Sequence, residues 1–410
     1  MDSIDPAANT MNEVRRLADQ IFPEVVRLRR VIHRHPELAF EEVETARLVR
    51  QTLEPLGISL RTGLAGTGIV ASIGGSTTAP AIALRADMDA LPIDEQNDFE
   101  FRSEVPGKMH ACGHDAHTAS LLGTALILHH CRDRLRGTVH LVFQPSEERL
   151  PGGARVMLDQ GLLSNGVLNP RPEAIFGQHV QPDLPVGKIG IRSGPYMASA
   201  DEIYLTVRGE GGHAAAPHRL RSDAVVAAAH VIVALQTITS RNAPPGTPSI
   251  LSLGRILADG ATNVLPDEVR MEGTFRAMDE VWRFRAHDLI RRVASDTAAA
   301  FGSEVEVRIE VGYPALHNDP NESDLVRQAA REYVGAENTV ELEPWFASED
   351  FAWYLQELPG AFYRLGTGNA ARGIVHGLHT PRFTIDEEAL RIGPGFMAHL
   401  AMTRLAHHGL

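Results

Sequence analysis

Short runs with no polar face recur through the first half of the chain: Ile69–Ile73, Ala81–Leu84, Val139–Phe143 and Ala174–Phe176. A strand apolar on both sides is covered on both sides, the mark of a largely parallel sheet under helices. The helical run Ala116–Cys131 lies between the second and third of them. Ahead of them, Leu17, Ile21, Val25, Leu28 and Ile32 recur at helical spacing, with Pro23 predicted to kink or restart that helix. Glu41–Leu53 reads as a second helix, closed by Gly57. The first part is therefore predicted to be an α/β domain with a mainly parallel sheet.

The pattern changes near Ser193. Asp201–Arg208 alternates like a half-exposed strand, and Ser222–Arg241 reads as a helix opened by a Ser cap. Ile250–Leu257, Glu268–Phe275 and Glu304–Glu310 read as strands, with the amphipathic helix Asp279–Ala300 before the last. Strand, helix, strand, strand, helix, strand is the ferredoxin-like α+β order. After Pro314 the earlier pattern returns, ending with Phe362–Leu365 and the loop that carries His379. The expected organisation is a discontinuous α/β domain, 1–195 and 313–410, with a small domain inserted at 196–312.

At 410 residues the chain is too long for one compact core. Hydrophobic residues make up 43% and charged residues 22%, ordinary values for a globular protein. A formal net charge of −13 argues against nucleic acid as a partner. No uninterrupted apolar run approaches the roughly 20 residues of a membrane span. Met1–Thr10 is polar, without the apolar core of a signal peptide. The expectation is a cytoplasmic protein with no membrane partner.

Of the two cysteines, Cys131 fits a buried apolar thiol, whereas Cys112 is flanked by His110 and His114. Met109–His117 crowds a thiol, three imidazoles and a carboxylate into nine positions just before an apolar helix. A sulfur and a nitrogen two residues apart can grip one divalent ion. Asp87 and Asp89, the pair Glu147-Glu148, and His179 each follow an apolar strand. Ligands in such sheets bind beyond the carboxyl ends of strands. Adjacent glutamates at a strand exit usually form a solvated charge pair. Here Pro145 ends the strand, so one carboxylate can hold metal while its neighbour faces water. His33 and His35, around Pro36, read as structural.

These pieces resemble the family of metal-dependent peptidases and amidohydrolases that includes aminoacylase, carboxypeptidase G and hippurate hydrolase. Within it the chain is most similar to the branch of bacterial N-acyl-amino-acid hydrolases and plant auxin-conjugate hydrolases. The matching segments are His35–Leu38, Ala86–Pro92, Met109–Asp115, Gln144–Glu148, Gly211–Ala215, Asn263–Asp267, Gly273–Arg276, Ser348–Phe351 and Leu378–Pro381. The resemblance implies two divalent metal ions held by Cys112, His114, Glu148, His179 and His379, with Glu147 as general base. It implies that Asp89 orients a metal-binding group. It implies that the larger domain is catalytic and the inserted one a lid through which a homodimer or higher homo-oligomer forms, with His213 reaching a neighbouring site and Asn263 and Arg276 holding substrate. Arg276 also reads as a strand-surface charge.

Carboxypeptidase-like members have His in place of Asp87, an Asp ligand near Cys112, and Arg where Tyr313 precedes Pro314-Ala315, so these departures point away from that branch. Zinc or manganese suits the donor set, and cobalt or nickel fits similar sites. The implied reaction is hydrolysis of an N-acyl amino acid, hippurate-like or N-acetyl, to a carboxylate and a free amino acid. The alternative is a dipeptidase or carboxypeptidase on the same centre. A non-catalytic binding protein and a structural zinc protein fit less well, because the base is intact and the ligands exceed a closed four-coordinate site. Phe351, Trp353 and Tyr354 read as helix-face packing rather than a substrate pocket.

Overall fold

The computed structural model describes residues 6–164 and 166–407. Of the polar start, Met1–Asp5 lie outside the described residues. The chain divides into two compact units. The first runs to Gly194 and takes in His317–Glu343 and the chain from Trp353 on; the second comprises Pro195–Leu316 and Pro344–Ala352.

In chain order the first unit opens with α1 (Pro6–Arg34), α2 (Val43–Leu53), β1 (Ser59–Leu64), β2 (Gly68–Gly74) and β3 (Ala81–Asp87). It continues through α3 (His114–His130), β4 (Thr138–Gln144), α4 (Gly153–Asp159), β5 (Ala174–Pro185) and β6 (Ile189–Ile191). The second unit supplies β7 (Asp201–Arg208), α5 (Ala224–Thr237), β8 (Ser249–Ala258), β9 (Glu268–Ala277), α6 (Glu280–Ala300) and β10 (Glu304–Val311). The chain returns to the first unit with α7 (Pro320–Val334), β11 (Thr339–Glu341), β12 (Gly360–Gly368) and α8 (Ala389–Ala406).

The first unit's sheet has the order β1-β2-β4-β3-β5-β12-β6-β11. Its centre, from β4 through β12, is parallel, while β1 and β2 add antiparallel strands at one edge. Every residue of β3, β4 and β12 is buried, as their continuous apolar runs require. Helices α1, α3 and α8 pack on one another, α2 on β2 and α4 on β4. Val14, Leu17, Val25 and Leu28 of α1 join the same core as Leu121, Leu122 and Ile127 of α3.

Two sequence expectations change here. Helix α1 runs through Pro23 without a break, because the apolar face on both sides of the proline is locked into the core and outweighs the lost hydrogen bond. Strand β5 continues to Pro185, so His179 lies within it rather than after it. The extension exists because β12 pairs alongside, with Arg364 opposite His179.

The second unit's sheet, β8-β9-β7-β10, is antiparallel throughout, and its core forms against α5 and α6. The cap of α5 is Asp223, which accepts the amides of Val225 and Val226, and not Ser222. Pro344–Ala352, read from sequence as part of the larger domain, belongs to this unit. Trp345 N–H donates to Tyr196 O at 2.9 Å, and Arg276 Nη1 donates to Phe346 O at 2.9 Å. Among the described residues one helix, Ala224–Asn242, is long and apolar enough to cross a membrane by length and composition. His230 and Gln236 interrupt it, so the sequence holds no unbroken apolar run there. Ala227, Ala228, Val231 and Leu235 of this helix are buried in the unit's core.

Candidate metal centre

Three neighbouring parallel strands deliver one constellation, β3 and β4 from their carboxyl ends and β5 from its middle. Strand β3 exits at Asp87 and leads to Asp89, β4 leads to Glu147 and Glu148, and β5 carries His179. The remaining donors come from the start of α3 and the His379 loop. Gly113 separates Cys112 from His114 in a left-handed turn with φ 86°, and a Cβ there would stand 2.4 Å from Val180 Cγ2. Only glycine fits. His379 is itself left-handed, φ 59°, and its amide donates to Ala111 O at 2.8 Å, which ties the loop to the Cys112 segment. Backbone held in this way by its surroundings is common at functional sites.

The donor atoms converge. Cys112 Sγ is 3.5 Å from His179 Nε2 and 3.3 Å from His379 Nε2. His379 Nε2 is 3.1 Å from Glu148 Oε1, and His114 Nε2 is 3.9 Å from the same oxygen. Cys112, His114 and His179 form one group of donors within 4.8 Å of one another; Cys112, Glu148 and His379 form a second. Glu147 joins His114 and Glu148 in a third. Cys112, His114 and Glu148 each belong to two of these three groups.

Each imidazole is oriented from behind. His114 Nδ1 faces Asp89 Oδ1 at 3.2 Å, leaving a buried Nε2 without a hydrogen-bond partner among the described residues. His179 Nδ1 donates to Val180 O at 2.7 Å, which directs its Nε2 at Cys112. Such outer contacts fix tautomer and ring plane. Asp89 also accepts the amides of Glu147 on Oδ1, 2.9 Å, and Glu148 on Oδ2, 3.0 Å. One carboxylate therefore orients an imidazole and the paired glutamates together.

The electrostatics of the cluster suit a cation. Burial would lower His114, yet Asp87, Asp89 and Glu148 outweigh it and raise it to about 10. Burial, Glu148, Glu147 and Asp87 push the Cys112 thiol well up. The carboxylates that help raise both groups favour positive charge between them, and a divalent cation meets that demand by displacing the protons. Burial and the Arg364 guanidinium hold His179 well below its ordinary value, in the neutral form a metal ligand needs. The residues fit two divalent cations.

Some braces escaped the sequence reading. His117 donates from Nδ1 to Asp87 Oδ1 at 2.6 Å and accepts Val180 N–H on Nε2 at 2.8 Å. Both nitrogens are occupied, so it steadies the strand beside His179 although it clusters with Asp87 and His114. Asp87 also accepts Arg85 Nη1 at 2.6 Å. Asp115 Oδ2 takes Arg29 Nε at 2.6 Å and His33 Nδ1 at 2.8 Å, anchoring α3 to α1. His33 is structural, as expected, and fully buried. Glu42, also fully buried, accepts the amide of Ser146; burial and then Asp89 raise it to about 7. No local signal distinguishes Glu42 from Glu41. Tyr354 is packed in the core, with its hydroxyl donating to Gln144 Oε1 at 3.1 Å, and Phe351 is fully buried.

His213, Asn263 and Arg276 belong to the second unit. Gly212–His213 pairs with Val264–Leu265, and Ala214 N–H donates to Asn263 O at 3.0 Å, so His213 and Asn263 share one small ladder. Arg276 is partly buried on β9, with Nη1 on Phe346 O.

Residues 83–403 match the model of peptidase family M20/M25/M40. An N-acetylcysteine deacetylase of Bacillus subtilis is 42% identical over 94% of this chain and 98% of its own length. Thermostable carboxypeptidase 1 of Saccharolobus solfataricus is 38% identical over 97% of this chain and 99% of its own. A Bacillus subtilis crystal structure, described as a dinuclear metal binding peptidase of family M20, superposes with TM-score 0.82 at 38% identity, covering 95% of this chain and 99% of its own.

Proposed function

The chain belongs to peptidase family M20/M25/M40, and from that premise we propose that it hydrolyses the amide bond of N-acyl amino acids, releasing a carboxylate and a free amino acid. The observation that carries this reading is the convergence of sulfur, imidazole and carboxylate donors beside a spare glutamate. Cys112, His114, Glu148, His179 and His379 hold two divalent cations. Zinc or manganese is the proposed pair, with cobalt or nickel as substitutes. When bound, the cations supply Lewis acidity and bring a water's pKa toward neutrality.

The chain's own residues do the rest. The Glu147 carboxylate takes the proton of the attacking water and delivers it to the leaving nitrogen. Asp89 holds the Glu147 amide and the His114 ring in place. His213, reaching the site of a neighbouring subunit, donates to the scissile carbonyl oxygen as negative charge develops there, and Asn263 and Arg276 bind the amino-acid portion. A cytoplasmic homodimer assembled through the second unit belongs to the same proposal.

Glu147→Gln tests it. That variant is expected to retain bound metal and lose nearly all turnover of N-acetyl and N-benzoyl amino acids. Normal turnover would overturn the reading. The carboxypeptidase relative favours one competitor, cleavage of peptide bonds by the same centre. Faster turnover of dipeptides than of acyl amino acids by the unmodified protein would establish that reading instead.

A further inference from the structure

The turn that presents the general base is built on unfavourable backbone. Ser146, between Pro145 and Glu147, has φ 50°, a region that residues with a Cβ seldom occupy. Something must hold it there. The Ser146 amide donates to Glu42 Oε1 at 2.8 Å, across 104 positions of sequence. The same oxygen accepts the amide of Phe40 at 2.9 Å, and Phe40 is also left-handed, φ 66°. The other oxygen accepts the Thr67 hydroxyl at 2.7 Å. Beyond Ser146, the amides of Glu147 and Glu148 go to Asp89. Three successive amides therefore end on two buried carboxylates, Glu42 and Asp89. Both are almost solvent-free, so neither bond is traded with water.

We propose that Glu42 is a positioning residue for the reaction: by clamping Ser146 in its left-handed turn it aims the carboxylate of Glu147. This rests on Glu147 being the base. The competing role for Glu42 is anchorage of the start of α2 alone, through Phe40 and Thr67. The two roles differ in one respect. A clamp on strained backbone becomes dispensable once residue 146 adopts positive φ freely, as glycine does. An anchor for α2 does not.

The test is a double-mutant cycle of Glu42→Ala and Ser146→Gly on the metal-loaded protein, with kcat, KM, bound metal and amide exchange measured for each variant. Glu42→Ala is expected to lower kcat about 100-fold, the scale of a 1 Å misplacement, with KM and metal content within about twofold. In the metal-free protein, exchange at the amides of residues 146–148 is expected to accelerate. Glu42→Gln keeps an acceptor for both amides and turns its NH2 to the Thr67 oxygen, so its kcat is expected within about tenfold of the parent. Adding Ser146→Gly to Glu42→Ala is expected to recover kcat at least about tenfold. An equal loss whether residue 146 is Ser or Gly overturns the proposal, as does a loss confined to KM or metal content. Should the alanine variant fail to fold, Glu42→Asp, which withdraws its oxygens from both amides, enters the same cycle under the same criteria. Glu147→Gln is assayed alongside. Activity there defeats the base assignment, whereas an inactive Glu147→Gln with no glycine rescue defeats only the clamp.

Discussion

Cys112 Sγ and His379 Nε2 stand 3.3 Å apart, although 267 positions of sequence separate them. Cys112 also reaches His179, so it sits where both donor groups overlap. Replacing it should disturb both cations. Cys112→Ala is expected to weaken metal binding by more than the ~10–100-fold typical of losing an outer partner, and to abolish turnover. Metal content after dialysis checks this. Full retention of both ions would remove Cys112 from the ligand set.

Asp89 serves His114, Glu147 and Glu148 at once. Asp89→Asn presents an NH2 to one of three donors and leaves that contact repulsive. We expect a ~10–100-fold loss of metal affinity together with a fall in kcat. Competition with a chelator measures the first and steady-state kinetics the second. A change in KM alone would contradict the bracing role.

His117 spends both nitrogens on Asp87 and Val180 N–H. His117→Phe leaves the Val180 amide and the Asp87 oxygen without those partners in a buried place, at roughly 1–3 kcal/mol for each. Urea unfolding of the metal-free protein is expected to show that loss. Because His117 is not proposed as a ligand, the variant should still bind two cations per chain, with His179 less well oriented.

Asp201 in the second unit is buried and bonded by Arg283 Nη2 at 2.5 Å, His287 Nε2 at 2.7 Å and the Gly312 amide at 3.2 Å. Burial would raise its pKa, but His287 and Arg283 outweigh burial and hold it below the ordinary carboxylate value. A carboxyl depressed in the folded state stabilises fully above its unfolded pKa, about 4, and loses that contribution as pH falls through the folded value. The parent protein should therefore lose stability more steeply below about pH 4 than Asp201→Asn does. At neutral pH the variant should be less stable by ~1.5–3 kcal/mol, since Arg283 loses its charged bonds to Asp201 but keeps the Glu280 carboxylate. Denaturant midpoints from about pH 3 to 7 check both signs.

Much of this was legible without coordinates where the signal is local. The all-buried strands β3 and β4 and the strand and helix order of the second unit stand within a few residues of their sequence limits. The Cys112–His114 segment and the Glu147-Glu148 pair are adjacent in sequence, so their chemistry could be read directly. Errors arose where a distant partner decides. Strand β5 lengthens because β12 pairs with it, α1 ignores Pro23 because its core face is held, and Pro344–Ala352 follows Tyr196 and Arg276.

What the sequence determined by itself is the supply of donors and the elements that carry them, because apolar periodicity and residue chemistry act over a few positions. What only the tertiary structure decided is which groups stand behind those donors. Glu42 behind Ser146, Asp89 behind His114, and His117 behind Val180 are meetings of chain segments 25 to 104 positions apart. Bonds of that kind exist only after the sheet has closed and excluded water, so no local pattern can encode them.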